Sequence, residues 1–198
     1  MIIKVYFLLC MILPCVIYQI IMISHQKDHK NRILHMIWVY IFLFYIYLVL
    51  NVTGIGTIWD IGCYGTVIRF EEINFKLLQS HDMLPYILNI LMFMPLGFLL
   101  PFIWQKMRSF PKVLLTGCFF SLVIEMCQLL NFRCSDVDDI LMNTLGAIVG
   151  YLLWKIGSLC FDSFYQGMNA LSKWEPVVYL LLSILGVFLL YNSRLVYF

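Results

Sequence analysis

Six runs of apolar residues, each close to the length that crosses a bilayer as helix, dominate this chain and leave few folds open to it. They cover about 2–24, 33–50, 84–104, 112–130, 139–161 and 176–192, against the roughly 20 residues that span a hydrocarbon core. In lipid, every backbone N–H and C=O must be satisfied internally, so runs of this kind become helices. Charged residues make up 12% of the chain, well below the share of about 25% usual in soluble domains, which argues against a water-soluble globule. The expected fold class is all-α: a polytopic transmembrane helical bundle of about six spans, multi-pass in the cytoplasmic membrane and in contact with membrane lipid. No long polar linker interrupts it, so residues 1–198 are read as a single membrane domain.

The first run carries only Lys4 before its apolar part and ends without a small-residue cleavage site. It is therefore read as a retained span rather than a signal peptide. Lys27, Lys30 and Arg32 crowd the first loop, Lys106, Arg108 and Lys112 the third, and Lys155 and Lys173 flank the fifth. Basic residues favour the cytoplasmic side, which puts these loops inside and both termini outside. Trp38, Trp104, Trp154 and Trp174 then fall near the inner boundary, as an interfacial aromatic belt would have them.

The formal charge of +2 and the lack of any long basic run give no nucleic acid a track to follow. Seven cysteines show no metal-ligand spacing, so neither a cofactor nor a metal is expected from them. Cys63 and Cys134 alone share the outer side, and a disulfide between them is one option. The outer loop 51–83 mixes turn-forming glycines with apolar and charged residues. That mixture fits either an interfacial segment or a cover over the outer mouth of the bundle.

Against this apolar background a few polar residues stand out. A charge at mid-bilayer costs about 2.5 to 3.5 kcal/mol on insertion scales, so Glu125 should face protein or water rather than lipid. At helical spacing Ser121 and Gln128 fall within roughly 60° of it. In the next span Asp136, Asp139, Asn143, Gly146 and Gly150 share an arc of roughly 80° if the helix begins near Asp136. Ser135 or Asp136 can cap that helix, whose N-terminus also favours acidic residues. Gly146 and Gly150 form a GxxxG that lets another helix approach closely. In the third span Asn89 lies at a similar depth, and Pro95 and Gly97 are expected to interrupt the helix. Arg133 stands in the connecting turn. Three spans thus bring polar groups to one level at the outer end.

The pattern Asn89-x3-Phe93-x-Pro95-x-Gly97, then Ser121-x3-Glu125-x2-Gln128, then Arg133-x2-Asp136-x2-Asp139-x3-Asn143-x2-Gly146-x3-Gly150 resembles the VanZ-like family of bacterial membrane proteins, over a core of about 85–155. The first two spans and the last carry no residues that match a motif. The family is named for a member linked to teicoplanin resistance in Gram-positive bacteria, so the resemblance implies a role at the cell envelope.

Three functional readings follow for the polar cluster. The first is a pocket for an amphiphile, a lipoglycopeptide or a lipid-linked cell-wall precursor, reached laterally from the outer leaflet. The second is a membrane-embedded enzyme acting on a lipid-linked substrate, either by paired carboxylates or through a divalent cation held by residues 136–139. The third is a proton-coupled transporter, which a chain of this length would form as a homo-oligomer. The binding reading is preferred over catalysis. Against all three stands a purely structural role, in which Glu125 pairs with Arg133 or hydrogen-bonds Asn89 or Asn143. Stability alone is a weak reason to keep such a buried pair.

Overall fold

The structure is a computed structural model that describes residues 2–25, 32–63, 73–74, 83–131, 135–160, 170, 172 and 174–196. It is all-α apart from one small strand pair. The helices are α1 (Ile2–His25), α2 (Arg32–Thr53), α3 (Leu84–Ile103), α4 (Phe110–Gln128), α5 (Val137–Cys160) and α6 (Glu175–Leu190). Each coincides with an apolar run to within a few residues. α3, α4 and α6 open with Pro85, Pro111 and Pro176 in the first turn, where the missing N–H has no helical partner to lose.

Five of the helices are long and apolar enough to cross a membrane. α6 is apolar but has 16 residues, or about 24 Å at 1.5 Å per residue, so the sixth run yields a shorter helix than the other five. Large apolar side chains such as Leu13, Ile20, Leu88, Phe119 and Ile156 point outwards. This is the reverse of a soluble protein's surface and the face that lipid requires. The chain is a multi-pass membrane protein.

The tightest packing joins α3 to α5. A Cβ added at Gly97 would overlap the Ala147 carbonyl, one at Gly146 the Ile90 carbonyl, and one at Gly150 the Met94 carbonyl. The two backbones are therefore in direct contact, the use expected of the GxxxG in α5. α4 closes on α5 from the other side, with Gly117 against the Ala147 methyl. A second pair is formed by α1 and α6, where Gly186 lies on the Cys10 carbonyl. α2 bridges the two groups through α3 and α6, and the fully buried Phe42, Trp104 and Tyr179 fill the space where they meet.

Two expectations are corrected. α3 runs without interruption through Pro95 and Pro101. Pro95 is turned outwards and Gly97 inwards, and the Tyr45 hydroxyl of α2 reaches the Met92 carbonyl at 2.8 Å, an added hydrogen bond beside the proline turn. Nor do the four tryptophans form a belt: Trp104 and Trp154 are buried in the bundle, Trp154 beneath the Arg108 guanidinium at 5.8 Å, while Trp174 is exposed.

The helices alternate in direction, so both termini lie at one end. There Tyr6 donates its hydroxyl to the Leu190 carbonyl at 2.8 Å and the Trp59 indole donates to Leu189. The same end carries the polar residues singled out above.

Candidate functional site

The register fixed by the α3–α5 glycines brings two pairs of polar side chains together at that end. Asn89 Nδ2 donates to Asp139 Oδ1 at 2.6 Å, and one turn earlier Tyr86 donates its hydroxyl to Asp138 Oδ2 at 2.7 Å. Tyr86 and Asp138 are buried, whereas Asn89 and Asp139 are half-buried.

On the α4 side the stripe of Ser121, Glu125 and Gln128 is buried, and each member reaches a different neighbour. Asn143 Nδ2 donates to Ser121 Oγ at 2.9 Å. Glu125 Oε2 accepts from the Asp136 backbone N–H at 3.2 Å. Asp136 in turn accepts at Oδ1 from the Asp138 N–H at 2.9 Å, which makes it the cap of α5. Gln128 Nε2 donates to the Thr53 carbonyl at 2.9 Å, tying the end of α2 to α4. Alongside it, Asn131 bonds the Gly54 carbonyl and the Gly56 N–H bonds Cys127.

Two short strands complete this end. β1 (Ile73–Asn74) and β2 (Ser135–Asp136) pair in parallel, with Asn74 opposite Asp136. These two residues of the loop 51–83 therefore lie beside the peptide that Glu125 holds. Arg133 and Cys134 lie outside the described residues, and so does any pairing that involves them.

The polar residues thus divide into two sets. Ser121, Glu125, Gln128, Asp136 and Asn143 form a lock between helices, with Asn143 Oδ1 and Gln128 Oε1 buried and unpartnered among the described residues. Asn89 and Asp139 instead line a cleft of about 690 Å³ between α2 and α3, whose other walls include Tyr45, Leu48, Leu88 and Met92. Exposed Leu48, Leu88 and Leu91 show that this cleft opens sideways, towards lipid. Among the described residues no three His, Cys, Asp or Glu side chains are placed to hold a metal ion.

The profile of the VanZ/LLP1 family matches residues 5–159. The chain belongs to the VanZ/LLP1 family. The match takes in α1 to α5, including two helices in which no motif was legible, and leaves α6 outside. No curated protein and no solved structure matches this VanZ/LLP1 chain.

Tyr86 and Thr53 are site residues that sequence reasoning passed over. Tyr86 stands three residues before Asn89, the spacing that places both on one helix face, and that signal was available. Asp138 enters the sequence analysis only within the acidic run 136–139, as one possible cation ligand, and its partner in the structure is the Tyr86 hydroxyl. For Tyr86→Phe, losing a hydrogen bond to a charged group costs about 1.5 to 3 kcal/mol, which should appear as a lower unfolding temperature in detergent at unchanged monodispersity.

Proposed function

We propose that this VanZ/LLP1 protein binds an envelope amphiphile from the outer leaflet and through that binding contributes to teicoplanin resistance. The polar headgroup meets Asn89 and Asp139, and the acyl tail lies in the cleft between α2 and α3. The observation that carries the reading is the cleft itself, which combines apolar walls, a sideways opening and a hydrogen-bonded amide–carboxylate pair on its lining. A lipoglycopeptide or a lipid-linked cell-wall precursor presents the matching chemistry, with donors on the headgroup for Asp139 and a hydrocarbon chain for Leu48 and Leu88.

The orientation supports this reading. Basic residues gather at the far end of the bundle, so the end bearing the cleft and both termini faces outwards. The whole chain, 1–198, acts as a single membrane domain in this reading. Glu125 serves as a positioning residue. By holding the Asp136 peptide it fixes the start of α5, and with it the place of Asp139. The acid–base alternative draws less support, because Glu125 and Asp139 are engaged by different partners, the Asp136 amide and the Asn89 amide.

The test is expression in a susceptible Gram-positive host, with inhibitory concentrations of teicoplanin and vancomycin measured at matched protein level. Wild type is expected to raise the teicoplanin value. Leu88→Trp, which fills the cleft while leaving Asn89 and Asp139 in the chain, and Asn89→Ala should return it towards that of the empty host, while the exposed Lys155→Ala should not. Loss of the Asn89 amide weakens binding by about 10- to 100-fold if the bond to a charged partner carries about 1.5 to 3 kcal/mol. A well-expressed wild type without effect on teicoplanin, or a Leu88→Trp protein as active as wild type, would sink the reading.

A further inference from the structure

At the opposite end of the bundle from Asn89 and Asp139 lies a second groove, between α4 and α6. α4 packs on α5 and α6 on α1, which leaves the space between the two helices unfilled. One section, of about 430 Å³, is bounded by Lys106, Lys112, Trp174 and Pro176. The adjoining section, of about 330 Å³, is bounded by Phe119, Leu181 and Ile184. Leu115, Thr116 and Val177 line both, so the sections form one groove with a basic mouth and an apolar depth. From Lys112 to Phe119 it follows α4 for about 10 Å at 1.5 Å per residue.

The mouth concentrates positive charge. Lys112 Nζ donates to the Lys106 backbone carbonyl at 2.7 Å, which fixes one ammonium beside the other lysine. Among the described residues no carboxylate pairs with either of them, and the nearby Glu175 is fully buried on His35. Two lysines on one mouth favour an anion there. Trp174, 71% exposed, adds an amphipathic ring of the kind that settles at headgroup level. Lysines over apolar walls, open to the bilayer, match an anion that carries a hydrocarbon chain. A free anion would leave those walls unused.

We infer that this groove holds an anionic phospholipid of the leaflet at that end, with its phosphate between Lys106 and Lys112 and one acyl chain against Leu115, Phe119 and Leu181. The site is independent of the α2–α3 cleft. It gives the protein a preference for anionic lipid, in line with the basic pockets between spans that recognise acidic headgroups.

Native mass spectrometry of the full chain, released from an uncharged detergent, tests this with phosphatidylglycerol and phosphatidylcholine of identical chains. Wild type should retain phosphatidylglycerol over phosphatidylcholine, and K106Q/K112Q should lower that preference by about 10- to 30-fold. Thr116→Trp, or Leu181→Trp from the facing wall should the first not fold, should release both lipids with the lysines intact. Lys155→Gln, which removes an exposed charge from α5, should behave as wild type, and excess inorganic phosphate should not displace the lipid. Equal retention of the two lipids, a K106Q/K112Q protein unchanged in preference, a Lys155→Gln loss as large as that of the double variant, retention unchanged in both folded tryptophan variants, or displacement by phosphate alone would each overturn the inference.

Discussion

Replacing Gly150 by alanine is expected to abolish the folded bundle, although the change adds a single methyl group. In an ordinary apolar environment that group would be welcome, since alanine is the best helix former and glycine the poorest but for proline. Here the new Cβ would overlap the Met94 carbonyl and crowd the Phe98 amide. Both are backbone atoms of α3, so no rotamer change can make room. The helices would have to separate, and Gly97 on Ala147 and Gly146 on Ile90 would lose contact with them. The hydrogen bonds from Asn89 to Asp139 and from Tyr86 to Asp138 depend on the same approach. Overpacking of well-filled interiors typically costs about 1 to 3 kcal/mol and more where the neighbours cannot move, against a total stability of about 5 to 15 kcal/mol. The expected readout is loss of the monodisperse peak in detergent chromatography, with Leu153→Ala, an exposed change on the same helix, retaining it. A Gly150→Ala protein that runs and melts like wild type would show that α3 and α5 do not meet backbone to backbone.

How far the sequence could be read follows from the range over which each feature is encoded. Apolar runs and the prolines that open α3, α4 and α6 are local signals, and the helices fall where those signals put them. The GxxxG of α5 is also a local signal: it announced a close helix contact without naming α3 as the partner, and the spacing of the polar pattern led to the right family. Facing side chains were harder, because the arithmetic of a helical face depends on the residue at which the helix starts. With α5 beginning at Val137, Asp136 becomes its cap, while Asp138 and Asp139 both turn to α3. Pro95 misled for a related reason: whether a proline breaks a helix depends on what its neighbours supply, and Tyr45 stands 47 residues from the Met92 carbonyl that it meets. The burial of Trp104 and Trp154 likewise depends on packing partners that no boundary rule contains. The helices of the bundle were legible to within two or three residues at their ends, whereas the division of the polar residues into a pair on the cleft and a buried lock was not.

A fully buried polar contact outside that site has no local signature at all, and breaking it is expected to have the second largest effect. His35 Nε2 meets Glu175 Oε1 at 2.9 Å and Oε2 at 3.1 Å, across 140 residues of sequence. Both side chains are fully buried, at the ends of α2 and α6 away from the termini, with Trp104 edge-on to the imidazole at 6.3 Å. Removing one member of such a pair leaves the other uncompensated in a medium of low dielectric constant, at about 3 to 5 kcal/mol. Either His35→Leu or Glu175→Leu should therefore lower the unfolding temperature sharply. The double variant should recover most of the loss, because apolar replacements of similar volume are often as stable as the buried polar pair they displace. His35 Nδ1, buried without a partner among the described residues, strengthens that expectation, since the double change removes an unsatisfied atom together with the pair. Thermal unfolding of the four proteins closes the cycle, and single losses that simply add in the double variant would show that the two residues are not coupled. The pair also has a structural meaning that the cycle would expose. α6 lies beyond the residues that the family profile matches, and His35–Glu175 is the buried polar tie that fastens it to α2. If the single variants loosen α6, the lipid proposed for the groove between α4 and α6 should be lost in the same proteins, while binding of the amphiphile proposed for the cleft between α2 and α3, which contains no residue of α6, should be kept.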